Sequence, residues 1–484
     1  MKIIYKSSII VFITLLVIGC SDDFLEVDSR EDIEAEDRDE NFTPEDFVTG
    51  VYGMFTEWPY AFAYLGITEI ISDNSDKGSS PTDTGGDKDV LDDLTFTSTS
   101  GSVREMWELW YKTIGRANYA IAYAEEEGGE NSERLIAEAK FLRAYTYFFL
   151  VRGWGDVPIQ GEISFEDGNP LIDPEADLSV RNPASEVYAY IEQDLMDAMI
   201  NLPSKSEYAA RDLGRATSGA AQALLAKVHL YQEHWQEALQ NADAVINSGQ
   251  YELEANYADI WREYSENGKE SIFEIQARGE DIAHGVQQYS ETQGARGTSG
   301  WGWGFNTPSE DLVNAFNEEG DEIRMDATII FAGETLWDGR EVSESVENPR
   351  YNEKAYSSAN AGAGDGDKNI RVLRLAEMYL IKAEAAAQLG DLETAMDALK
   401  IVRERVELDP VSGLGQQELL KKIWNERRLE LAFEHDRWFD LIRTRQAPEA
   451  LATHGKVFNE RLWLFPIPEN QLIQTPSMTQ NPGW

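Results

Sequence analysis

Cysteine is nearly missing from this chain: Cys20 is the only one in 484 residues, which excludes an internal disulfide framework and any cysteine-based metal site. Histidine is scarce too. The five histidines, His229, His234, His284, His435 and His454, show no HExxH spacing. His229 and His234 are five apart and do not share a helix face well, which argues against a zinc pair. Basic residues are outnumbered, 42 Lys and Arg against 88 Asp and Glu, giving a formal charge of −46. Such a surface repels nucleic-acid phosphates and anionic headgroups, so nucleic acid is excluded as a partner and the chain stays well solvated. After residue 19 no run approaches 18 apolar residues, so no later segment crosses a membrane as a helix. With 42% hydrophobic and 11% aromatic residues, the chain is equipped to bury a core.

What is present begins at the N-terminus. Residues 1–19, "MKIIYKSSIIVFITLLVIG", set Lys2 and Lys6 before an apolar run from Ile9 to Ile18. That run is too short to span a bilayer comfortably and has the pattern of a secretory signal. "LVIGC" resembles a bacterial lipobox, in which cleavage leaves Cys20 first and lipidated, and several acyl chains on one residue anchor a protein stably. Residues 21–40 hold eleven acids against Arg30 and Arg38, a density that keeps a segment extended as a tether. "CSDDF" resembles the acidic export signals of lipoproteins on the outer face of the outer membrane. The expected layout is a signal over 1–19, a lipidated cysteine and acidic tether over 20–40, and a single helical domain over 41–484.

Helical periodicity dominates the body, and two segments repeat each other. "LLAKVHLYQEHWQEALQNADAVI" and "YLIKAEAAAQLGDLETAMDALKIV" align at a constant offset of 157 residues, pairing Ala226 with Ala383, Trp235 with Leu392, Ala238 with Ala395 and Val245 with Val402. Small residues at these positions let antiparallel helices approach closely, the logic of tetratricopeptide hairpins that bury surface only by stacking. Gly390 supplies the turn and Asp391 caps the next helix. Residues 132–158 carry the stripes Leu135, Ala139, Leu142, Thr146 and Phe141, Ala144, Tyr145, Phe148, expected in the core. In residues 419–445, Glu426, Glu430 and Glu434 fall among Arg427, Arg428, Arg437 and Arg443 and are expected to pair at i,i+3 and i,i+4. The stretches 73–101, 160–182, 262–308 and 333–370 are polar and glycine-rich, and are expected to be long irregular insertions that carry the site. The fold class is therefore mostly α, a tetratricopeptide-like hairpin scaffold with long loop insertions.

Several strings together resemble the SusD/RagB family: "NFTPEDFVTGVYGMF" (41–55), "LWYKTIGRANYAI" (109–121), "FLRAYTYFFLVRGWGDVPI" (141–159), "WGFNTPSEDLVNAF" (303–316), "NERRLELAFEHDRWFDLIRT" (425–444) and "FPIPENQLIQTPSMTQNPGW" (465–484). They occur in the family's order across nearly the whole chain. The resemblance implies a helical body of four tetratricopeptide-like units under irregular loops. It also implies a surface lipoprotein that is no enzyme, needs no cofactor, captures glycan and serves a SusC-like TonB-dependent outer-membrane transporter as lid and receptor. Peptide cargo, as in RagB-like members, is the alternative.

Ring faces on loops suit such cargo, because an aromatic face desolvates the C–H side of a pyranose while nearby polar groups bond its hydroxyl rim. "ARGTSGWGWGFNTP" (295–308) supplies Trp301, Trp303 and Phe305, which share one face if the segment is extended. Arg296 precedes them as a hydroxyl donor. The bland alternative is a loop packed onto helices. "FTEWPYAFAYLGITEIISDNSDKG" (55–78) offers Trp58, Tyr60, Asp73, Asn74 and Lys77, the loop that the family resemblance places at the ligand face, and Trp337 lies in the last insertion. Asp365, Asp367 and Asn369 have the 1-3-5 oxygen spacing of a calcium loop but lack glycine at position six and glutamate at twelve, leaving room for at most an incidental calcium. Two rival functions stand beside capture. A glycoside hydrolase needs two carboxylates at set separation, which 88 acids make untestable by counting. An adaptor that binds protein through helical grooves leaves the aromatic insertions without a role.

Overall fold

Helices stack one after another to build the scaffold. α1 (Pro44–Met54) packs on α2 (Gly101–Glu127) and α3 (Ser132–Trp154); α4 (Ala184–Asn201) packs on α3, α5 (Ser218–Tyr231) on α4, and α6 (Trp235–Ile246) on α5. α7 (Glu310–Glu319) lies against the C-terminal part of the chain. The stack resumes where α8 (Leu375–Gln388) meets α6; α9 (Leu392–Arg405) and α10 (Gln416–Glu430) pack on α8, and α11 (Arg437–Arg443) follows. This computed structural model describes residues 42–484 apart from 81, 84–85, 167–168, 173–177, 278–284 and 359–365. The signal, Cys20, the acidic tether, His284 and Asp365 lie outside the described residues.

The internal repeat is a repeat of structure. α5 and α8 begin at Ser218 and Leu375 and end at Tyr231 and Gln388, 157 residues apart at both ends, and α6 and α9 begin at Trp235 and Leu392 with the same offset. Ala226, Ala383, Ala238, Ala395, Val245 and Val402 are all buried in the seams. In the second hairpin Gly390 turns the chain at φ 83°, and the Asp391 side chain accepts from the Thr394 amide at 3.1 Å. The first hairpin turns at the equivalent place with Glu233 at φ 59°, a left-handed conformation that costs a side chain about 1–2 kcal/mol. α3 is the centre of the body. Every residue from Phe141 to Trp154 is buried, so this part of the helix has no solvent face, and the two stripes expected in the core are there with the rest.

The glycine-rich insertions are less irregular than expected. Seven of the eight described strands lie in them or at their edge, as two-stranded antiparallel pairs: β1 (Ser75–Gly78) with β5 (Phe305–Pro308), β2 (Ile163–Glu166) with β3 (Asn169–Ile172), and β4 (Ser271–Ile275) with β8 (Ile370–Arg374). β6 (Ile329–Phe331) pairs with β7 (Arg350–Asn352). Among the described residues no helix is long and apolar enough to cross a membrane.

Buried charge ties these insertions to the scaffold. Glu430, at the end of α10, is fully buried and receives Arg374 of β8 at 2.6 Å, Arg324 at 3.0 Å and Arg405 of α9. Its backbone carbonyl accepts from Tyr257 Oη at 2.8 Å and Lys354 Nζ at 3.0 Å. Glu426, one turn earlier, takes Arg324 at 2.5 Å and Arg403 at 2.6 Å, and Glu434 takes Arg374 at 2.7 Å and Lys354 at 2.8 Å. The expectation that Glu426, Glu430 and Glu434 pair along their own helix is thus corrected. A buried carboxylate needs donors from several directions, and the neighbours on one helix cover only one of them. Of the four arginines named with them, only Arg443 keeps a partner three residues away, Asp440 at 2.7 Å.

Glu430 is held ionised: burial opposes its charge, yet the Arg405, Arg374 and Arg324 guanidiniums hold its carboxyl well below the ordinary range. Replacing it (Glu430→Gln) strands those cations, and we expect a loss of about 3–5 kcal/mol in urea denaturation. Unchanged stability would show that the lattice does not need the charge. Glu69 behaves the opposite way. It sits in the π-helical turn Gly66–Ile70, one carboxyl oxygen accepts from the His435 amide, and the other has no hydrogen-bond partner among the described residues. Burial, only partly offset by that bond, pushes its carboxyl up to about 8. A raised folded pKa gives stability that is full below about 4.5 and lost as pH climbs through about 8. Glu69→Gln is therefore expected to flatten the decline in melting temperature between pH 5 and 8, and a parallel profile in both proteins would refute the assignment.

Candidate functional site

The segment around Trp301 is folded back on itself rather than extended. The Trp301 and Gly302 amides both donate to the Ala295 carbonyl, at 2.8 and 2.9 Å, and the Trp303 amide donates to the Glu291 carbonyl at 2.8 Å. The chain straightens into β5 only at Phe305, paired with Gly78 of β1. Gly302 is needed for this path: a Cβ there would lie 2.3 Å from the Glu291 oxygen and 2.5 Å from Gly294 Cα. The glycines therefore serve close backbone packing. The rings of Trp301 and Trp303 consequently enter different clusters, which corrects the expectation of one shared face.

One cluster gathers Trp303, Trp58 and Phe62. Trp58 lies 5.8 Å from Trp303 and 5.7 Å from Phe62 between ring centroids, and Phe62 meets Phe305 edge-on at 4.9 Å. Lys88 Nζ sits 4.0 Å over the Phe62 ring, and Trp58, Phe62 and Trp303 are half-buried. The second cluster is built on Tyr356, which is buried. Trp301 meets it at 5.6 Å and Trp337 at 6.3 Å, both edge-on. The Arg340 guanidinium lies 4.6 Å over Trp301 and the Arg262 guanidinium 4.4 Å over Trp337. Tyr356 Oη donates to Asp338 Oδ2 at 2.8 Å, fixing the ring to which both tryptophans lean.

Arg262 is in turn fixed by Glu353 at 3.0 Å, whose carboxyl burial pushes up to about 7 against the pull of that guanidinium. Trp337 nevertheless leaves 47% of its surface to solvent, and Tyr264, two residues after Arg262, leaves 74%, with its hydroxyl donating to Asp259 at 2.7 Å. Sequence reasoning missed Tyr264, Arg262, Arg340 and Tyr356. The signal for Tyr264 was there: it is an aromatic set among the polar residues of "REYSENG" (262–268), much as Trp337 is in its insertion.

Four of the residues expected to line the site are corrected, because they are buried and committed to internal partners. Tyr60 is in the core, its hydroxyl accepting from Trp110 Nε1 at 2.9 Å. Asp73 is gripped by Arg437, whose Nε and Nη2 donate to its two carboxylate oxygens at 2.7 and 2.6 Å, and by Arg428 at 3.3 Å. Despite burial, those two arginines hold its carboxyl well below the usual range. Asn74 accepts from Arg428 Nε at 2.7 Å, and Lys77 pairs with Asp89 at 2.6 Å. Arg296 is half-buried between Asp83 at 2.9 Å and Glu347 at 3.2 Å, so its guanidinium also braces loops.

Of the three oxygens with calcium-loop spacing, that of Asp365 lies outside the described residues, and Asn369 is buried with its side-chain oxygen accepting from the Ala277 amide at 2.8 Å. The expectation that His229 and His234 stay apart is corrected as well. α5 stops at Tyr231, and the turn brings His234 back until the ring centroids are 5.7 Å apart, with Glu192 of α4 beside them.

Comparison with known proteins agrees with this architecture. A family profile described as "SusD family" matches residues 269–484, and one described as "Starch-binding associating with outer membrane" matches residues 23–230. SusD-like protein P2 of Formosa agariphila is 29% identical over 452 residues, 86% of each chain. A SusD-like protein of Bacteroides ovatus is 29% identical over 388 residues, 72% of this chain and 67% of the relative. Among solved structures, a SusD-like protein from Bacteroides fragilis superposes with a TM-score of 0.77 at 24% identity, covering 91% of this chain and 96% of its own. A laminarin-binding SusD-like protein superposes with a TM-score of 0.75 at 27% identity, covering 91% and 99%. With stacked helical hairpins, aromatic-bearing insertions and two profiles that between them take in most of both halves, the chain belongs to the SusD/RagB family.

Proposed function

We propose that this protein captures a neutral glycan at the loop face formed by Trp337, Trp301 and Tyr264 and releases it chemically unchanged to a SusC-like TonB-dependent transporter. Lipid on Cys20 would hold it at the outer surface of the outer membrane, with residues 20–40 as tether to one domain over 41–484. The observation that carries the reading is Trp337: a large ring backed by Arg262 at 4.4 Å and steadied by Tyr356, yet half open to water. A ring fixed from behind loses little freedom when a sugar ring stacks on it, which favours binding. Trp58 and Trp303, 5.8 Å apart and half-buried, are a second place where a ring could touch cargo. The formal charge of −46 favours a neutral chain over a polyanion. A 27% identical neighbour that binds laminarin supports a neutral glucan as the first ligand to try.

No cofactor enters this reading. The test is native affinity electrophoresis across a panel of neutral and anionic polysaccharides, with reducing-sugar release measured in the same samples. We expect retardation by a neutral polysaccharide and no release. Trp337→Ala should weaken retention about fivefold, about 1 kcal/mol. Release of reducing ends would make the protein a hydrolase, and full retention in a folded Trp337, Trp301 and Tyr264 triple alanine variant would refute the site. Co-purification with a TonB-dependent channel after detergent extraction tests the partnership.

A further inference from the structure

The cluster of Glu192, His229 and His234 lies on the helical scaffold, in elements other than the aromatic insertions. Each residue offers one ligand atom, and these atoms all lie within 4.8 Å of one another. They come from three elements: Glu192 from the middle of α4, His229 from the last turn of α5, and His234 from the residue that precedes α6. His229 Nδ1 is 3.7 Å from Glu192 Oε1, too far for a hydrogen bond, and this buried nitrogen has no hydrogen-bond partner among the described residues. His229 keeps only 8% of its surface exposed. A buried ring nitrogen without a partner costs free energy that a ligand can return.

The internal repeat supplies an independent comparison. In the second hairpin the positions equivalent to His229 and His234 are Ala386 and Asp391, and the same backbone bond closes both turns: His234 N to His229 O at 3.0 Å, Asp391 N to Ala386 O at 2.9 Å. The turn thus forms without histidines. Asp391 also caps its helix through its side chain, whereas His234 makes no side-chain cap bond and forgoes about 1 kcal/mol of helix stabilisation. Neither histidine is explained by the needs of the hairpin.

We propose that Glu192, His229 and His234 form a binding site for a divalent transition metal, zinc above all, that clips α4 to the α5–α6 turn. Two imidazoles and one carboxylate are the donor set of zinc rather than of calcium or magnesium. Ligand atoms about 2.0–2.2 Å from zinc stand roughly 3.3 Å from each other, so the three groups must close by about an ångström. Glu192 is half-buried and His234 exposed, so both have room to turn towards the buried His229. Glu192 would exchange its present bond from Gln232 Nε2, at 2.6 Å, for the metal. Three protein ligands leave a fourth position for water.

The test uses zinc chloride alone on chelator-treated full protein, at 0.15 M NaCl with excess magnesium to occupy the acidic surface. We expect one equivalent to compete with a chromophoric chelator at a dissociation constant below about 10 μM, and a rise in melting temperature with zinc. His229→Ala, which copies the second hairpin, His234→Ser, which restores a cap, and Glu192→Gln should each weaken that equivalent at least tenfold and abolish the thermal shift. Cobalt should give the visible absorption of a low-symmetry site in the wild type only. The absence of such an equivalent, or its survival in folded His229→Ala and His234→Ser proteins, would overturn the proposal.

Discussion

Everything that carries this fold's loops depends on one constraint: a charge taken out of water must be met by opposite charge from several sides. α10 presents Glu426 and Glu430 to the interior, the short segment after it presents Glu434 and Asp436, and α11 presents Asp440. The cations that answer them come from β8, from α9, from α5 and from the segment after α7, through Arg374, Arg405, Lys227 and Arg324. Arg427 joins Glu377 of α8 at 2.5 Å to Asp440 of α11 at 2.7 Å. Removing a single partner leaves an uncompensated ion, so this lattice admits few arrangements. It acts less as glue than as a jig. The insertions can pack on the helical stack in one register only, and the aromatic side chains they carry inherit that register.

The same constraint explains why Asp73 and Asn74 are not available to a ligand. They lie in a glycine- and serine-rich stretch that looks solvated, but Arg428 and Arg437 reach them from the C-terminal motif, more than 350 residues on. What the loop after the first helix contributes to the outer face is Trp58 and Phe62, pinned against Trp303. Polar residues in this loop hold it down, and its rings are what remain on top.

Legibility in the sequence follows the range of the interactions concerned. The hairpins were legible because Ala226, Ala238, Ala383 and Ala395 recur with helical spacing and a fixed offset, and helix packing is a local consequence of small residues on one stripe. The family strings and the aromatic richness of the insertions were legible for the same reason. The ion lattice was not, since spacing along one helix carries no information about partners on β8 or α9. The directions of Trp301 and Trp303 were not, because they are set by amide bonds to the carbonyls of Glu291 and Ala295 rather than by strand alternation. The meeting of His229 with His234 was hidden by treating the two as residues of one continuous helix, when α5 ends between them at Tyr231.

Trp301 and Trp303 are anchored in separate ring assemblies, yet only Gly302 stands between them, packed so that Gly294 and the Glu291 carbonyl leave no space for a Cβ. That stretch of main chain has no slack with which to absorb a tilt of either indole. A disturbance in one assembly must therefore be felt in the other, and the free-energy effects of altering Tyr356 and Trp58 will not sum, although neither residue touches the other. The two aromatic surfaces are mechanically a single object, hinged on a residue that has no side chain.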